Sequence, residues 1–427
     1  MNKTKTILIT GFALFSMFFG AGNLILPPFL GVQSGDSWSL VTIGFFITAV
    51  IIPIFGIMAH ARLQGTMYDF GKKVSPAFSI LYCFIVYAIS IALPAPRTAS
   101  VTHEMAIAPF FGTSSLLTST VYFLLVFIFT MNRSKILDLL GKFITPLIII
   151  ILLAVIYVGI TTTPVNIHPT SFDTPFISGL LEGYQTFDAI GAIVVGGVLV
   201  ISMNFHKKTS FKEKKELISK AGIIAGLGLL IIYAGLIYSG AVFGTTFTED
   251  ASRTEVLTSL STQTLGNIGN TLLSVLVALA CFTTGVGIVT GTADYFKGLF
   301  HNSQKAYTIT AMLGCGLGVL IGQFDVHYII DIALPALMFI YPITIILIVL
   351  NVLPEKLASP IVFKTVVGVA FLFSVPDFLK FIIDSPDQLS YINNYIPFSQ
   401  HSLGWVLPAV FIFVFVNVFK IFTTTKA

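Results

Sequence analysis

Charge is scarce in this 427-residue chain: Lys, Arg, Asp and Glu together make up 10% of it, with 19 acidic and 23 basic residues. An ordinary soluble domain carries roughly a quarter charged residues. Hydrophobic residues reach 55%, and 40 of them are Phe, so the few charges cannot cover a core of that size with a water-facing surface. A cytosolic enzyme, a nucleic-acid binder and a disordered chain are excluded on these grounds. Cysteine is also scarce. Cys83, Cys281 and Cys315 lie in separate apolar runs without CxxC spacing, which points neither to a disulfide framework nor to a zinc site. No P-loop, HExxH, GxSxG or Asp-rich metal motif occurs, and the seven His lie mostly in loops or at the ends of apolar runs. The expectation is therefore no catalytic residues, no cofactor and no ATP-driven pumping by this chain alone. The first apolar run, from Ile7, is too long for a removable signal peptide.

What the sequence has instead is long apolar runs. A membrane helix needs about 20 mostly apolar residues. Twelve runs qualify: 7–30, 38–59, 76–96, 114–131, 143–162, 176–202, 217–243, 271–293, 306–322, 328–351, 361–382 and 403–422. After Pro94 and Pro96 the third can continue as helix through Arg97–Ala108. With the N-terminus inside, only Arg97, Arg253 and Lys380 of the 23 Lys and Arg fall outside; the other 20 fall in cytoplasmic segments. One miscounted span would invert every later loop and spoil that asymmetry, so the positive-inside rule predicts twelve spans with both termini cytoplasmic. The stretch His206–Lys215 (HKKTSFKEKK) reads as a basic orientation signal, and the polar segment 244–270 as the longest outside loop.

Two runs carry polar interruptions. In hydrocarbon every backbone N–H and C=O needs a partner, so a helix broken at depth must line a cavity or bind something. The first run reads Phe18-Phe19-Gly20-Ala21-Gly22-Asn23, then Pro27-Pro28. The glycines weaken helix and clear space, and each proline removes an N–H. The sixth reads Glu182-Gly183-Tyr184-Gln185-Thr186-Phe187-Asp188, with two carboxylates inside an apolar run. Glycines alone also suit close helix packing, but glycine, Asn and a double Pro together, matched five spans later, favour a binding site. Spans 1–5 and 6–10 then correspond as halves of opposite topology, the arrangement in which broken helices mark a transporter's central site.

These segments resemble a known family. Ala13–Gly31 (ALFSMFFGAGNLILPPFLG) is similar to the opening signature of BrnQ-type branched-chain amino acid:cation symporters. So are Ala95-Pro96-Arg97-Thr98-Ala99, Glu182–Ala189, and Leu279–Thr284 with Asp294-Tyr295-Phe296. The resemblance implies an all-α polytopic membrane protein of LeuT-type fold: twelve transmembrane helices, a 5+5 inverted repeat plus two C-terminal helices. Its implied divisions are 1–162, 163–352 and the peripheral pair 353–427.

The resemblance also implies a site. The substrate, leucine, isoleucine or valine, would lie among Gly20, Ala21, Gly22, Asn23, Glu182, Gly183, Tyr184, Gln185 and Thr186. Its carboxylate would meet the Ala21 and Gly22 N–H groups, and its amine the backbone of the sixth-helix break. Sodium would be held by Ser16, Phe19, Ala280, Thr283 and Thr284, with a second ion at Phe18 and Asn23. For that second ion the sequence offers no match to the other side-chain ligands of the pattern, and the Thr283–Thr284 site is favoured. Proton coupling through Glu182 or Asp188 stays open. Arg97 reads either as an interfacial anchor or as a partner of Glu104, Glu182 or Asp188. The other expected partners are membrane lipid and no obligate protein, and the expected location is the plasma membrane. A channel or a membrane enzyme are the competing classes.

Overall fold

The structure is a computed structural model, described here for residues 3–132, 136–161, 167–194, 196, 211–248, 250–381 and 395–424. The far end of the sixth apolar run and the start of the basic stretch, residues 206–210, lie outside the described residues. Among the described residues the regular structure is helical, with no strand. That follows from the solvent: only within a helix does each segment satisfy its own backbone.

Among the described residues, eight helical stretches are long and apolar enough to cross a membrane, from Ala21–Leu63 to Pro360–Leu379. Three shorter apolar helices, Thr4–Ser16, Pro146–Thr161 and Val406–Phe422, accompany them. The expected first and second spans are redistributed. Helix Lys3–Phe18 stops short, and the chain from Ala21 runs through to Leu63 with a 3₁₀ turn at Gly35–Ser37 and a π turn at Ile47–Ile51. The expected third span continues past Pro94 as anticipated, as helix Pro94–Thr102 and a π turn at His103–Ile107. The polar outside segment differs from expectation. It is not an open loop but folds from Arg253 into the first part of helix Arg253–Leu299, bent at Gly266 (φ 70°). Ser252 and Glu255 start it with reciprocal bonds: the Ser252 Oγ accepts the Glu255 N–H at 3.2 Å, and a Glu255 carboxylate oxygen accepts the Ser252 N–H at 2.8 Å.

The chain divides into two compact units. The first comprises Met1–Val50, Tyr87–Phe187 and Ile223–Ile332. Its core includes Ala99, Tyr122, Phe123, Val126, Val286, Val289, Tyr307 and Ala311, contributed by four helices. In the same unit helix Pro175–Glu182 lies on helix Trp38–Phe46 with backbone touching backbone. A Cβ on Gly44 would collide with the Phe176 carbonyl, and one on Gly179 with the Val41 carbonyl. The Thr48 hydroxyl adds a bond to the Leu180 carbonyl at 2.7 Å.

The second unit comprises Ile51–Val86, Asp188–Gly222 and Ala333–Ala427. The buried His60 ring bridges the Ile193 carbonyl (2.6 Å) and the Gly65 carbonyl (3.2 Å). Arg62 donates to the Val352 and Leu353 carbonyls at the end of helix Val326–Val352, where a cation offsets the negative helix end. Phe411, Phe415 and Phe419 form an exposed row on helix Val406–Thr424. In water such a row is a liability; against lipid it needs no cover.

Candidate functional site

The first helix ends at Phe18, and the second begins at Ala21. Gly20 between them is extended (φ −109°, ψ −169°). The break thus falls at Phe19–Gly20, ahead of the prolines: Pro27 and Pro28 are carried inside helix Ala21–Ser34. The Gly20 N–H is shared between the Phe18 carbonyl (2.9 Å) and the Asn23 Oδ1 (3.2 Å). Asn23 therefore acts as an internal cap, and its Nδ2 donates to the Tyr233 hydroxyl. The N–H groups of Ala21 and Gly22, in the first turn of the new helix, have no helical acceptor and carry the positive end of the helix dipole.

The sixth run breaks in a different way. Helix Pro175–Glu182 passes into a 3₁₀ turn, Gly183–Thr186, and Phe187 takes a left-handed conformation (φ 61°) before helix resumes at Asp188. Tyr184, Gln185, Thr186 and Phe187 are all buried. Among the described residues, neither polar atom of the Gln185 side chain has a hydrogen-bond partner, although the residue is only 1% exposed.

The two breaks meet through Arg97, which is 3% exposed and so is no interfacial anchor. Its Nη1 donates to the Gln185 carbonyl at 2.9 Å, and its guanidinium carbon lies 5.3 Å from the centre of the Phe187 ring. A Cβ built on Gly22 would lie 2.5 Å from Arg97 Nη2 and 3.3 Å from the Gln185 carbonyl oxygen. Two of the carboxylates expected as partners of Arg97 are engaged elsewhere. Glu104 accepts from the Thr254 hydroxyl (2.5 Å) and the Val326 N–H (2.8 Å). Glu182 faces Arg253 at 3.8 Å.

Of the oxygen groups expected to hold an ion, Thr284 is brought to the first break: its hydroxyl lies 3.7 Å from where a Gly20 Cβ would be. Thr283 donates its hydroxyl to the Ala280 carbonyl at 2.9 Å, so those two oxygens are neighbours. Phe18, Phe19 and Ala280 are buried, and Ser16 is half-buried near the end of the first helix. Asn23 Oδ1, the side-chain group expected at a second ion, is the acceptor of the Gly20 N–H. Among the described residues no cluster of three or more His, Cys, Asp or Glu could hold a metal ion.

Two participants escape a reading of the sequence. Tyr233 sits in an apolar run with no local mark, and its link to Asn23 spans 210 positions. Arg253 heads helix Arg253–Leu299. Its guanidinium carbon lies 4.6 Å from the centre of the Phe29 ring, and its Nη1 is 3.1 Å from His327, which in turn faces Asp331 at 3.4 Å. Arg253 so ties the start of that helix to residues that follow the first break and precede the sixth. The ring contact and the partly exposed ion pair each contribute about 0.5–1 kcal/mol. Arg253→Ala is expected to lower the melting temperature in detergent, and Arg253→Lys to lose less. Unchanged melting of both variants would show that these contacts hold nothing.

Comparison with known proteins agrees with this architecture. Residues 3–423 match the family model described as branched-chain amino acid transport protein. The branched-chain amino acid permease BraB of Bacillus subtilis is 32% identical over 421 residues, covering 95% of this chain and 93% of that one. The permease BrnQ of Salmonella typhimurium is 30% identical, covering 96% and 94%. Among solved structures, Mhp1, a nucleobase-cation-symport-1 family transporter, superimposes with a TM-score of 0.59 at 12% identity, covering 96% of this chain and 92% of that one. A manganese transporter of Eremococcus coleocola gives 0.61 at 13%, covering 98% and 96%. At those identities the likeness speaks for the fold alone, that of LeuT-like transporters. With a family match along nearly its whole length and permeases at 30–32% identity, the chain is a membrane transporter, not an enzyme, and it belongs to the branched-chain amino acid transport protein family.

Proposed function

We propose that the chain is a secondary active symporter that imports leucine, isoleucine and valine with a cation, sodium in the leading account. Substrate binds at the two helix breaks, and access alternates between the two sides of the membrane. The observation that carries this reading is the convergence of the breaks: the Gly22 backbone, Arg97 and the Gln185 carbonyl lie within contact of one another. Open helix-end groups of both signs gathered at one place are what a zwitterion requires. The twelve-span count, the 5+5 repeat with divisions at 1–162, 163–352 and 353–427, the plasma-membrane location and the cytoplasmic termini complete the proposal. They are supported by the apolar runs and the distribution of Lys and Arg.

A co-transported ion has a physical reason. A zwitterionic amino acid has no net charge, so the membrane potential does not drive it. One accompanying cation gains roughly 2.3 kcal/mol per 100 mV. At about 1.36 kcal/mol per decade that sustains roughly fifty-fold accumulation before any ion gradient counts. Sodium is favoured by Thr284 at the first break and by the adjacent Thr283 and Ala280 oxygens, a set of hard, non-titrating ligands. The second reading, proton coupling, rests on Glu182 and on the buried Asp188, which follows the left-handed Phe187. Uptake of labelled leucine into proteoliposomes, with sodium and proton gradients imposed separately, tests both. Uptake that accumulates under neither gradient overturns symport.

Substrate range follows from the same site. An apolar pocket gains about 0.8 kcal/mol per buried CH₂, and so separates homologues that differ by one methylene only weakly. Leucine, isoleucine and valine are expected to compete with one another for uptake, with alanine and charged amino acids competing poorly. Strong inhibition of leucine uptake by lysine or glutamate would contradict an apolar pocket.

A further inference from the structure

We propose that the chain binds an anionic phospholipid at the edge formed by Lys72, Lys73, Lys356 and Lys364, whose ammonium groups hold the lipid phosphate. The inference rests on the membrane topology proposed above, which puts this edge on the cytoplasmic side, and not on the substrate or the coupling ion. Three segments of the second unit supply the edge. The Asn351 Nδ2 donates to the Phe70 carbonyl at 3.1 Å, and Arg62 donates to the Val352 carbonyl at 2.8 Å. The Lys73 Nζ lies over the Phe363 ring, 5.1 Å from its centre. These links hold the turn after helix Met67–Gly71, the end of helix Val326–Val352 and the start of helix Pro360–Leu379 together. Lys72, Lys356 and Lys364 are exposed, and Lys73 is half-buried.

The charge of this cluster is not neutralised within the protein. Among the described residues none of the four lysines is in an ion pair, whereas Lys220 pairs with Glu216 and Lys380 with Asp377. An Asp69 carboxylate oxygen accepts the Thr66 N–H at 2.9 Å, and Glu355 is exposed; neither pairs with a cation among the described residues. The start of helix Pro360–Leu379 adds to the positive potential. Ser359 makes no side-chain cap bond, so first-turn N–H groups of that helix have no acceptor within it. Beside the lysines, Leu357 and Ile361 are 41% and 65% exposed. A soluble anion would match the charge and leave these two uncovered. An anionic phospholipid matches both: its phosphate meets the lysines and the helix start, and its acyl chains cover Leu357 and Ile361. Basic groups between membrane helices on the cytoplasmic side meet such lipids in the adjoining leaflet.

The test measures binding of a fluorescent phosphatidylglycerol to the purified full chain in neutral detergent. Unlabelled phosphatidylglycerol, phosphatidylcholine and glycerophosphate serve as competitors. Each lysine near the phosphate is worth about a fivefold gain in affinity. Wild type is expected to prefer phosphatidylglycerol to phosphatidylcholine by roughly tenfold or more, and to respond little to glycerophosphate. The combined variant Lys72→Gln, Lys73→Gln, Lys356→Gln, Lys364→Gln is expected to bind roughly thirtyfold or more weakly. A control that removes the same charge elsewhere, Lys5→Gln, Lys212→Gln, Lys305→Gln, Lys420→Gln, should change binding by less than about threefold. Equal losses in the two variants overturn the proposal, because net charge alone then governs binding. Competition by glycerophosphate as strong as that by phosphatidylglycerol overturns the lipid as ligand. If the cluster variant fails to fold or insert, wild type decides alone: equal competition by phosphatidylcholine and phosphatidylglycerol overturns the site. The readout is binding, so its failure is distinct from a failure of the transport reading, in which wild-type protein takes up no leucine.

Discussion

Replacement of Gly22 by Val should abolish leucine uptake while leaving membrane insertion and protein abundance intact. Gly22 lies in the first turn of helix Ala21–Ser34, where its backbone is in contact with Arg97 and the Gln185 carbonyl. A single Cβ there would approach the Arg97 guanidinium to 2.5 Å and a backbone oxygen to 3.3 Å. Alanine therefore asks mainly for a shift of the guanidinium. Valine adds two methyl groups that have nowhere to go, since the Gln185 carbonyl belongs to the main chain. Overpacking of this kind costs roughly 1–3 kcal/mol, or about five- to a hundredfold in an equilibrium constant. The cost falls on the site and not on the helix, because Val is a better helix former than Gly. Gly22→Ala is expected to lose roughly tenfold in leucine uptake, and Gly22→Val about a hundredfold or more. Uptake into vesicles, normalised to carrier content by immunoblot, reads both. Wild-type uptake by Gly22→Val would mean that the glycine serves only helix packing.

The second large effect concerns the ion. Replacement of both Thr283 and Thr284 by Val keeps the volume and removes two hydroxyls. Thr284 lies at the Gly20 break, whereas Thr283 is bonded to the Ala280 carbonyl in its own helix. The single variants should therefore differ, with Thr284→Val the more damaging. A hydrogen bond to a charged group is worth roughly 1.5–3 kcal/mol. A lost hydroxyl ligand on that scale raises the sodium concentration for half-maximal uptake by roughly ten- to a hundredfold. The double variant should lose sodium stimulation over the accessible range. Sodium dependence like that of wild type in the double variant would remove these residues from the ion site. Wild-type uptake that follows pH and ignores sodium would transfer the coupling role to Glu182 or Asp188.

Helix breaks are legible in a sequence because their causes are local. Gly20 and Gly22 lack the side chains that favour helix, and Asn23 supplies an oxygen three residues after the N–H it caps. In the sixth run the Gly, Tyr and Gln that interrupt an apolar stretch correspond to the 3₁₀ turn. The apolar runs were legible for a similar reason, since the length of a helix that crosses hydrocarbon is set by bilayer thickness. The polar segment 244–270 was not. Its polarity matches a loop as well as a surface helix, and the choice was made by the Ser252–Glu255 cap and by Arg253 reaching Phe29, Glu182 and His327.

By itself, then, the sequence determined a polytopic membrane protein, the two places where helix gives way, and the family to which those places belong. Composition and backbone propensity are properties of neighbouring residues, and they survive without knowledge of the fold. Only the tertiary structure decided that Arg97 lies between the breaks, that Asn23 is held by Tyr233, and that Thr284 rather than Thr283 faces Gly20. Those pairings join residues tens to hundreds of positions apart. The side chains that make them, an Arg after two prolines or a Tyr in an apolar helix, carry no local sign of a partner. Which distant residue each one meets is set by how the helices pack, and the backbone-to-backbone approach at Gly44 and Gly179 is the kind of contact that sets it.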